Sequence, residues 1–154
     1  MTVLTTATEQ DTFELGVSLG QAAQIGLFVG LNGVIGAGKT VFSRGVGHGL
    51  AVSSNVQSPT FIIAQSHHGG RLPLIHADLY RLGGAEDLEQ LGLDELFEPR
   101  GVVLVEWASR FADILPADRL NLTLECTQEG RRVVLQAMGA WHDDWLRSWL
   151  AQRG

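Results

Sequence analysis

Gly33-Val34-Ile35-Gly36-Ala37-Gly38-Lys39-Thr40 is a complete G-x-x-x-x-G-K-[ST] loop, and its flanks decide the fold. Leu27-Phe28-Val29-Gly30-Leu31-Asn32 ahead of it is apolar and strand-like, and Val41-Phe42-Ser43-Arg44 behind it is compatible with a helix. Strand, glycine-rich loop and helix in that order build a phosphate cradle. The glycines let backbone N–H groups close around phosphate oxygens, and the helix aims its positive end at them. Gly33, Gly36, Ala37, Gly38, Lys39, Thr40 and Val41 are therefore the candidate nucleotide-binding positions. Lys39 is spaced to reach the β- and γ-phosphates, and the Thr40 hydroxyl to ligate Mg²⁺. The expected ligand is a nucleoside triphosphate.

Around this loop, 154 residues fit one domain spanning residues 1–154. Apolar residues at 45% against 18% charged give a chain that buries a core rather than staying disordered. No uninterrupted apolar run is long enough to cross a bilayer. The first six residues lack the basic segment and long apolar core of a secretion signal, so a cytoplasmic protein without a membrane partner is expected. The one cysteine, Cys126, excludes an internal disulfide, and its place on an apolar face predicts an inert buried thiol. The net charge is −6 and Lys39 is the only lysine, which argues against a surface that grips nucleic acid by itself. If nucleic acid is involved, a partner holds it.

Thr8-Glu9-Gln10-Asp11 has a capping pattern that predicts a first helix over residues 9–24. The helix after the loop is expected to end near Gly45, Gly47 and Gly49, which are read as termination and close packing. Residues 61–66 and 72–76 read as a hairpin turned at 67–70, residues 85–97 as an acidic exposed helix, and residues 101–105 as a buried central strand. Residues 120–126 alternate with period two, residues 127–131 turn the chain, residues 132–138 return it, and residues 142–152 form an amphipathic helix. This predicts an α/β fold: a phosphate-loop three-layer sandwich whose mixed, mainly parallel central sheet carries antiparallel additions.

Hydrolysis needs more than a phosphate loop. It needs an acid that supports the metal and a group that positions water. Glu106 ends the apolar strand at the level where ligands of open α/β sheets bind, and is the leading acid. Asp78 also follows a strand; it is a candidate water-orienting base or metal-shell member, with capping of the following turn as the equal alternative. Ser58-Pro59-Thr60 offers a hydroxyl, Thr60, for sensing the γ-phosphate, against a plain proline turn. His67, His68 and His76 lack zinc spacing and are read as structural or solvated. Trp107 either packs over the site or belongs to the core. Trp141, Trp145 and Trp149 recur every four residues, as a helix packing against the sheet requires. Arg131 and Arg132 fall in the predicted hairpin turn, where solvated charge is the default and a nucleotide contact the alternative.

Four elements then occur in order: G-x-x-GAGKT-x-FSRG from Gly33 to Gly45, SPTF from Ser58 to Phe61, H-x-DLYRL from His76 to Leu82, and VEW from Val105 to Trp107. Together they resemble the small bacterial TsaE-type (YjeE-like) ATPase family of tRNA threonylcarbamoyladenosine biosynthesis, over residues 8–138. The segment around Leu91-Gly92-Leu93 is also similar. The resemblance implies ATP as the nucleotide and an ATPase that joins two proteins, a TsaD-type carbamoyltransferase and its TsaB-type paralogue. Hydrolysis then resets the complex between turnovers, and tRNA is engaged indirectly. It also implies phosphate contact by Lys39, Mg²⁺ held by Thr40 and Glu106, Asp78 as the second essential acid, and Thr60 in a switch. Val34 departs from the Asp that relatives commonly carry there. Two other readings of the phosphate loop are a small-molecule kinase, against which stands the lack of an arginine-rich lid, and a non-hydrolysing nucleotide-dependent scaffold.

Overall fold

Val102-Val103-Leu104-Val105 is apolar at every position because both of its faces are covered at the centre of a seven-stranded sheet. A computed structural model describes residues 1–53, 56, 64–84, 86–87 and 100–153. The elements are β1 (Thr2–Thr6), α1 (Glu9–Ala22), β2 (Phe28–Asn32), α2 (Lys39–Gly49), β3 (Ala64–His67), β4 (Leu74–Asp78), β5 (Val102–Glu106), a 3-10 helix (Ala108–Phe111), β6 (Arg119–Thr127), β7 (Gly130–Met138) and α3 (Ala140–Arg153). The strand order is β1-β7-β6-β2-β5-β4-β3. The phosphate-loop strand β2 lies parallel to both β5 and β6, and β4 lies parallel to β5. The hairpins β3–β4 and β6–β7 and the edge strand β1 are antiparallel. This is the mixed α/β sheet the sequence predicts.

Strand alternation sorts the side chains into two cores. Val29, Leu31, Leu104, Leu120 and Leu122 face the helices, packing with Leu19, Phe42, Val46 and Trp149. Phe28, Val103, Val105 and Ala77 turn the other way, against Ala108, Phe111 and Leu115. Among the described residues the three α-helices belong to the first core, and the 3-10 helix with the chain after it makes the layer on the second. Residues 61–63 of the predicted hairpin and most of the predicted acidic helix 85–97 lie outside the described residues.

Helices α1 and α2 meet backbone to backbone. A Cβ on Gly16 would stand 2.2 Å from the Phe42 carbonyl oxygen, and one on Gly45 would stand 2.2 Å from that of Phe13. Only Gly49 of the glycine trio ends the helix; Gly45 and Gly47 lie within it, spent on close packing. The other end of α1 stops at Ala22, two residues early, because Ala23 turns extended. There Arg71 Nη2 donates to the carbonyls of Gly20 (2.8 Å), Gln21 (3.2 Å) and Ala23 (2.8 Å), satisfying acceptors a helix end leaves open.

Three expectations need correction. The edge strand β1 is additional: Thr2 to Thr6 pair with Leu135 to Arg131. Cys126 is exposed, because β6 runs past the covering helices and its last three residues all emerge into solvent. The tryptophan stripe buries only two of its members. Trp145 and Trp149 stack at 5.4 Å and donate their indole N–H groups to Ala22 O and Ser18 Oγ of α1, whereas Trp141 at the start of α3 is exposed.

Asp118 caps α3, accepting from the N–H groups of Trp141 (3.0 Å) and His142 (3.1 Å). His142 is buried; its Nδ1–H donates to Asp118 at 2.6 Å, and its Nε2 accepts the Phe28 N–H at 2.9 Å. That acceptor role requires a neutral ring. Burial pushes the His142 imidazole below its ordinary value, with Asp118 pulling the other way. The unfolded chain thus binds more protons once the pH falls below about 6.5, and stability drops as pH falls. His67 adds the same sign, since burial and then His76 and His68 hold it low. The melting temperature is therefore expected to fall between pH 7.5 and 5.5. His142→Asn, which keeps a donor for Asp118 without the titration, should flatten that slope; an equally steep profile in the variant would rule the account out.

Candidate functional site

The phosphate loop needs backbone that L-residues resist, and glycine supplies it. Gly33, Gly36 and Gly38 have φ of 150°, 83° and 108°. Gly38 is also the N-cap of α2 and provides no side-chain cap, so the first-turn N–H groups stay directed at the loop. By contrast, α1 is closed by a Thr8–Asp11 capping box and α3 by Asp118. Lys39, the first residue of α2, is buried and folds back so that Nζ donates to the carbonyls of Gly33 and, at 3.1 Å, Val34. Two of its three donors are thus occupied by the loop. Nζ also lies 4.6 Å from the Trp107 ring centroid, a cation–π distance. Desolvation lowers the Lys39 ammonium from its ordinary value, opposed by the charges of Glu106 and then Asp78.

Sheet register brings the acids together. Asp78 and Glu106 end the adjacent parallel strands β4 and β5 as direct partners. Alternation from Leu74 and Leu104 puts both on the helix-bearing face, the same side as α2. Glu106 is 2% exposed, and His76 Nε2 lies 2.6 Å from its Oε2. Asp78 Oδ1 accepts the Tyr80 N–H at 2.9 Å, so the turn-capping role is real, and the residue lines the site as well. Trp107 adopts a left-handed conformation (φ 63°) immediately after β5, which turns its ring over the site against Tyr80, with centroids 4.9 Å apart.

Two adjoining cavities follow. One of about 380 Å³ is lined by Gly36, Gly38, Lys39, Thr40 and Val41 together with Asp78, Glu106, Trp107 and Tyr80. The other, about 160 Å³, is lined by Thr6, Ala7, Thr8, Glu9 and Thr12 with Gly130 and Arg131. Both share Glu9, Gly36, Gly38 and Val41, so the loop is the wall between them. Arg131 is the second residue of β7 and not part of a solvated turn; the turn is shorter than predicted, with Thr127 paired to Gly130. Its guanidinium donates to Ala37 O (Nε, 2.9 Å) and Gly36 O (Nη2, 3.3 Å), bracing the phosphate loop from the cavity side. Arg132 is exposed and lies 3.6 Å from Glu125.

Of the sequence-predicted site residues, the structure thus gathers Gly36, Gly38, Lys39, Thr40, Val41, Asp78, Glu106 and Trp107 around one cavity, with Gly33 and Ala37 in the loop behind. Thr60 lies outside the described residues. Three roles lay beyond the sequence reading: His76 as the partner of Glu106, Arg131 as a brace of the loop where a nucleotide contact was the alternative to solvated charge, and Thr6 to Thr8 as a cavity wall beside Glu9. The first two depend on register across strands. The third has a local signal, the Thr8–Asp11 capping pattern that opens α1 beside the loop. Donor chemistry fits a triphosphate with Mg²⁺: uncapped N–H groups and a lysine for phosphate, a hydroxyl and two carboxylates for a hard cation.

Residues 6–134 match the family model described as Threonylcarbamoyl adenosine biosynthesis protein TsaE. A Bacillus subtilis protein named tRNA threonylcarbamoyladenosine biosynthesis protein TsaE is 42% identical over 110 residues, covering 71% of this chain and 68% of its own. The Treponema pallidum protein of the same name is 37% identical over 128 residues (83% and 94% of the two chains), and that of Streptomyces coelicolor 40% over 134 residues (82% and 90%). The crystal structure of Bacillus subtilis YdiB superposes with a TM-score of 0.86 at 30% identity, over 99% of this chain and 96% of that one. The loop, the paired acids and the sheet that carries them thus coincide with a match across most of the chain, which belongs to the TsaE family of threonylcarbamoyl adenosine biosynthesis proteins.

Proposed function

We propose that this chain binds and hydrolyses ATP with Mg²⁺ as a component of the assembly that forms threonylcarbamoyladenosine in tRNA, hydrolysis resetting that assembly between turnovers. The observation that carries the reading is the convergence of Lys39, Thr40, Asp78 and Glu106 on one cavity at the open N-terminus of α2. Backbone N–H groups of the loop and the Lys39 ammonium receive the phosphates. The Thr40 hydroxyl and Glu106 carboxylate hold the metal, which when bound neutralises charge on the phosphates. Asp78 stands where a carboxylate orients the attacking water or completes the metal shell. Trp107 and Tyr80 limit water entry on the open side. The smaller cavity along residues 6–9 suits the base and sugar, with Arg131 holding the wall between.

The partners in this reading are a TsaD-type carbamoyltransferase and its TsaB-type paralogue, in the cytoplasm. They hold the tRNA, consistent with a net charge of −6 here. Among the described residues, no helix is long and apolar enough to cross a membrane. The test follows ATP labelled at the γ-phosphate, with and without partners and tRNA. Expected are Mg²⁺-dependent release of free phosphate, slow alone and faster with partners, and repeated modification cycles only when this chain is present. Label appearing on a metabolite would favour a kinase. Repeated cycles without ATP turnover would favour a scaffold.

A further inference from the structure

We infer that His76 is the positioning residue for Glu106, holding one carboxylate oxygen so that the other is presented to the metal; this rests on the proposed role of Glu106 in supporting Mg²⁺. His76 is fully buried in β4, on the helix-bearing face with Asp78 and Glu106. In register it stands opposite Leu104, one same-face step before Glu106, and its ring spans that step to bring Nε2 within 2.6 Å of Oε2. A carboxylate only accepts, so Nε2 carries the hydrogen.

The other ring nitrogen makes the case sharper. Nδ1 is buried without a hydrogen-bond partner among the described residues. Leaving a polar atom unpaired in the interior is unfavourable, and a side chain serving only to fill this core would be apolar. The imidazole is explained by what Nε2 does. A buried carboxylate with one oxygen pinned has lost its freedom to rotate, and partners that orient metal ligands in this way set metal affinity. Glu106 reaches the cavity that Thr40 also lines, so the restraint acts on the proposed metal position rather than on the phosphates.

The experiment measures ADP affinity by calorimetry in the presence and absence of Mg²⁺, so that the readout is binding and not turnover. The quantity compared is the gain in affinity that Mg²⁺ brings. In His76→Leu that gain is expected to fall about tenfold or more, with Mg²⁺-free ADP affinity unchanged. His76→Gln, whose amide nitrogen reaches as far as Nε2, should restore most of the gain. His76→Asn, whose donor stops at the Nδ1 position, should not. If the leucine variant fails to fold, the glutamine–asparagine comparison decides alone. A wild-type gain in the asparagine variant, or a folded glutamine variant as weak as asparagine, overturns the inference while leaving the ATPase reading intact. Absence of any Mg²⁺ gain in the unsubstituted chain overturns both together.

Discussion

Lys39→Ala is expected to slow ATP hydrolysis by about 10²–10³-fold, the scale on which loss of one preorganised donor to a developing charge is felt. The ammonium is the sole lysine side chain, it is buried, and it sits between the loop carbonyls and the two carboxylates at the strand ends. Removing it therefore acts twice: the phosphates lose their point charge, and Asp78 and Glu106 lose the cation that offsets them. Lys39→Arg is not expected to rescue. A planar guanidinium is larger and spreads its donors in a fork, whereas this pocket accepts a compact head against the carbonyls of Gly33 and Val34 and the Trp107 ring. Single-turnover hydrolysis at saturating nucleotide, with circular dichroism to verify folding, makes the measurement. A rate within tenfold of the unsubstituted chain would remove Lys39 from the chemistry.

Gly45→Val is expected to destabilise the fold by about 3 kcal/mol or more. Insertion into a filled contact costs about 1–3 kcal/mol when side chains give way. Here the obstacle is backbone: the first added carbon would stand 2.2 Å from the Phe13 carbonyl oxygen and 3.1 Å from the Gly16 Cα. A β-branched residue has better helix propensity than glycine by only a few tenths of a kcal/mol, too little to compensate. Helix α1 would have to lift from α2, opening the core around Leu15, Leu19, Phe42 and Val46. Chemical denaturation reads the loss directly. Gly36→Ala gives the contrast: its Cβ meets nothing within 4 Å, so its cost comes only from the backbone conformation at φ 83°. Similar stabilities for Gly45→Val and the unsubstituted chain would mean that the two helices do not depend on this close approach.

How far the sequence could be read follows from the range of the signals. The phosphate loop, the apolar run of β5 and the acid that ends it are local patterns, and the structure brings them together as their strand–loop–helix grammar implies. The capping box of α1 was equally plain, because its donors and acceptors lie within four residues. What escaped depends on register. Nothing in His76-Ala77-Asp78 says that the histidine meets Glu106; that follows only when β4 pairs with β5. Arg131 reads as a turn residue until Thr127 pairs with Gly130 and the strand starts two residues earlier. Cys126 keeps the alternation of Leu122 and Leu124, yet periodicity carries no information on where the covering helices stop. The edge strand β1 did have a local signal in Thr2-Val3-Leu4-Thr5-Thr6, rich in β-branched residues, but an edge strand needs its partner before that signal means anything.

One consequence concerns chemical labelling. Because the phosphate-loop lysine is the only lysine in the sequence, an acyl-phosphate or aldehyde analogue of a nucleotide has a single ε-amine to capture. Burial lowers the proton affinity of that amine from its ordinary value, against the pull of Glu106 and then Asp78. Occupancy of the site could then be followed as one added mass on one peptide, in the complete assembly, with no substitution to introduce and no competing lysine on this chain to subtract.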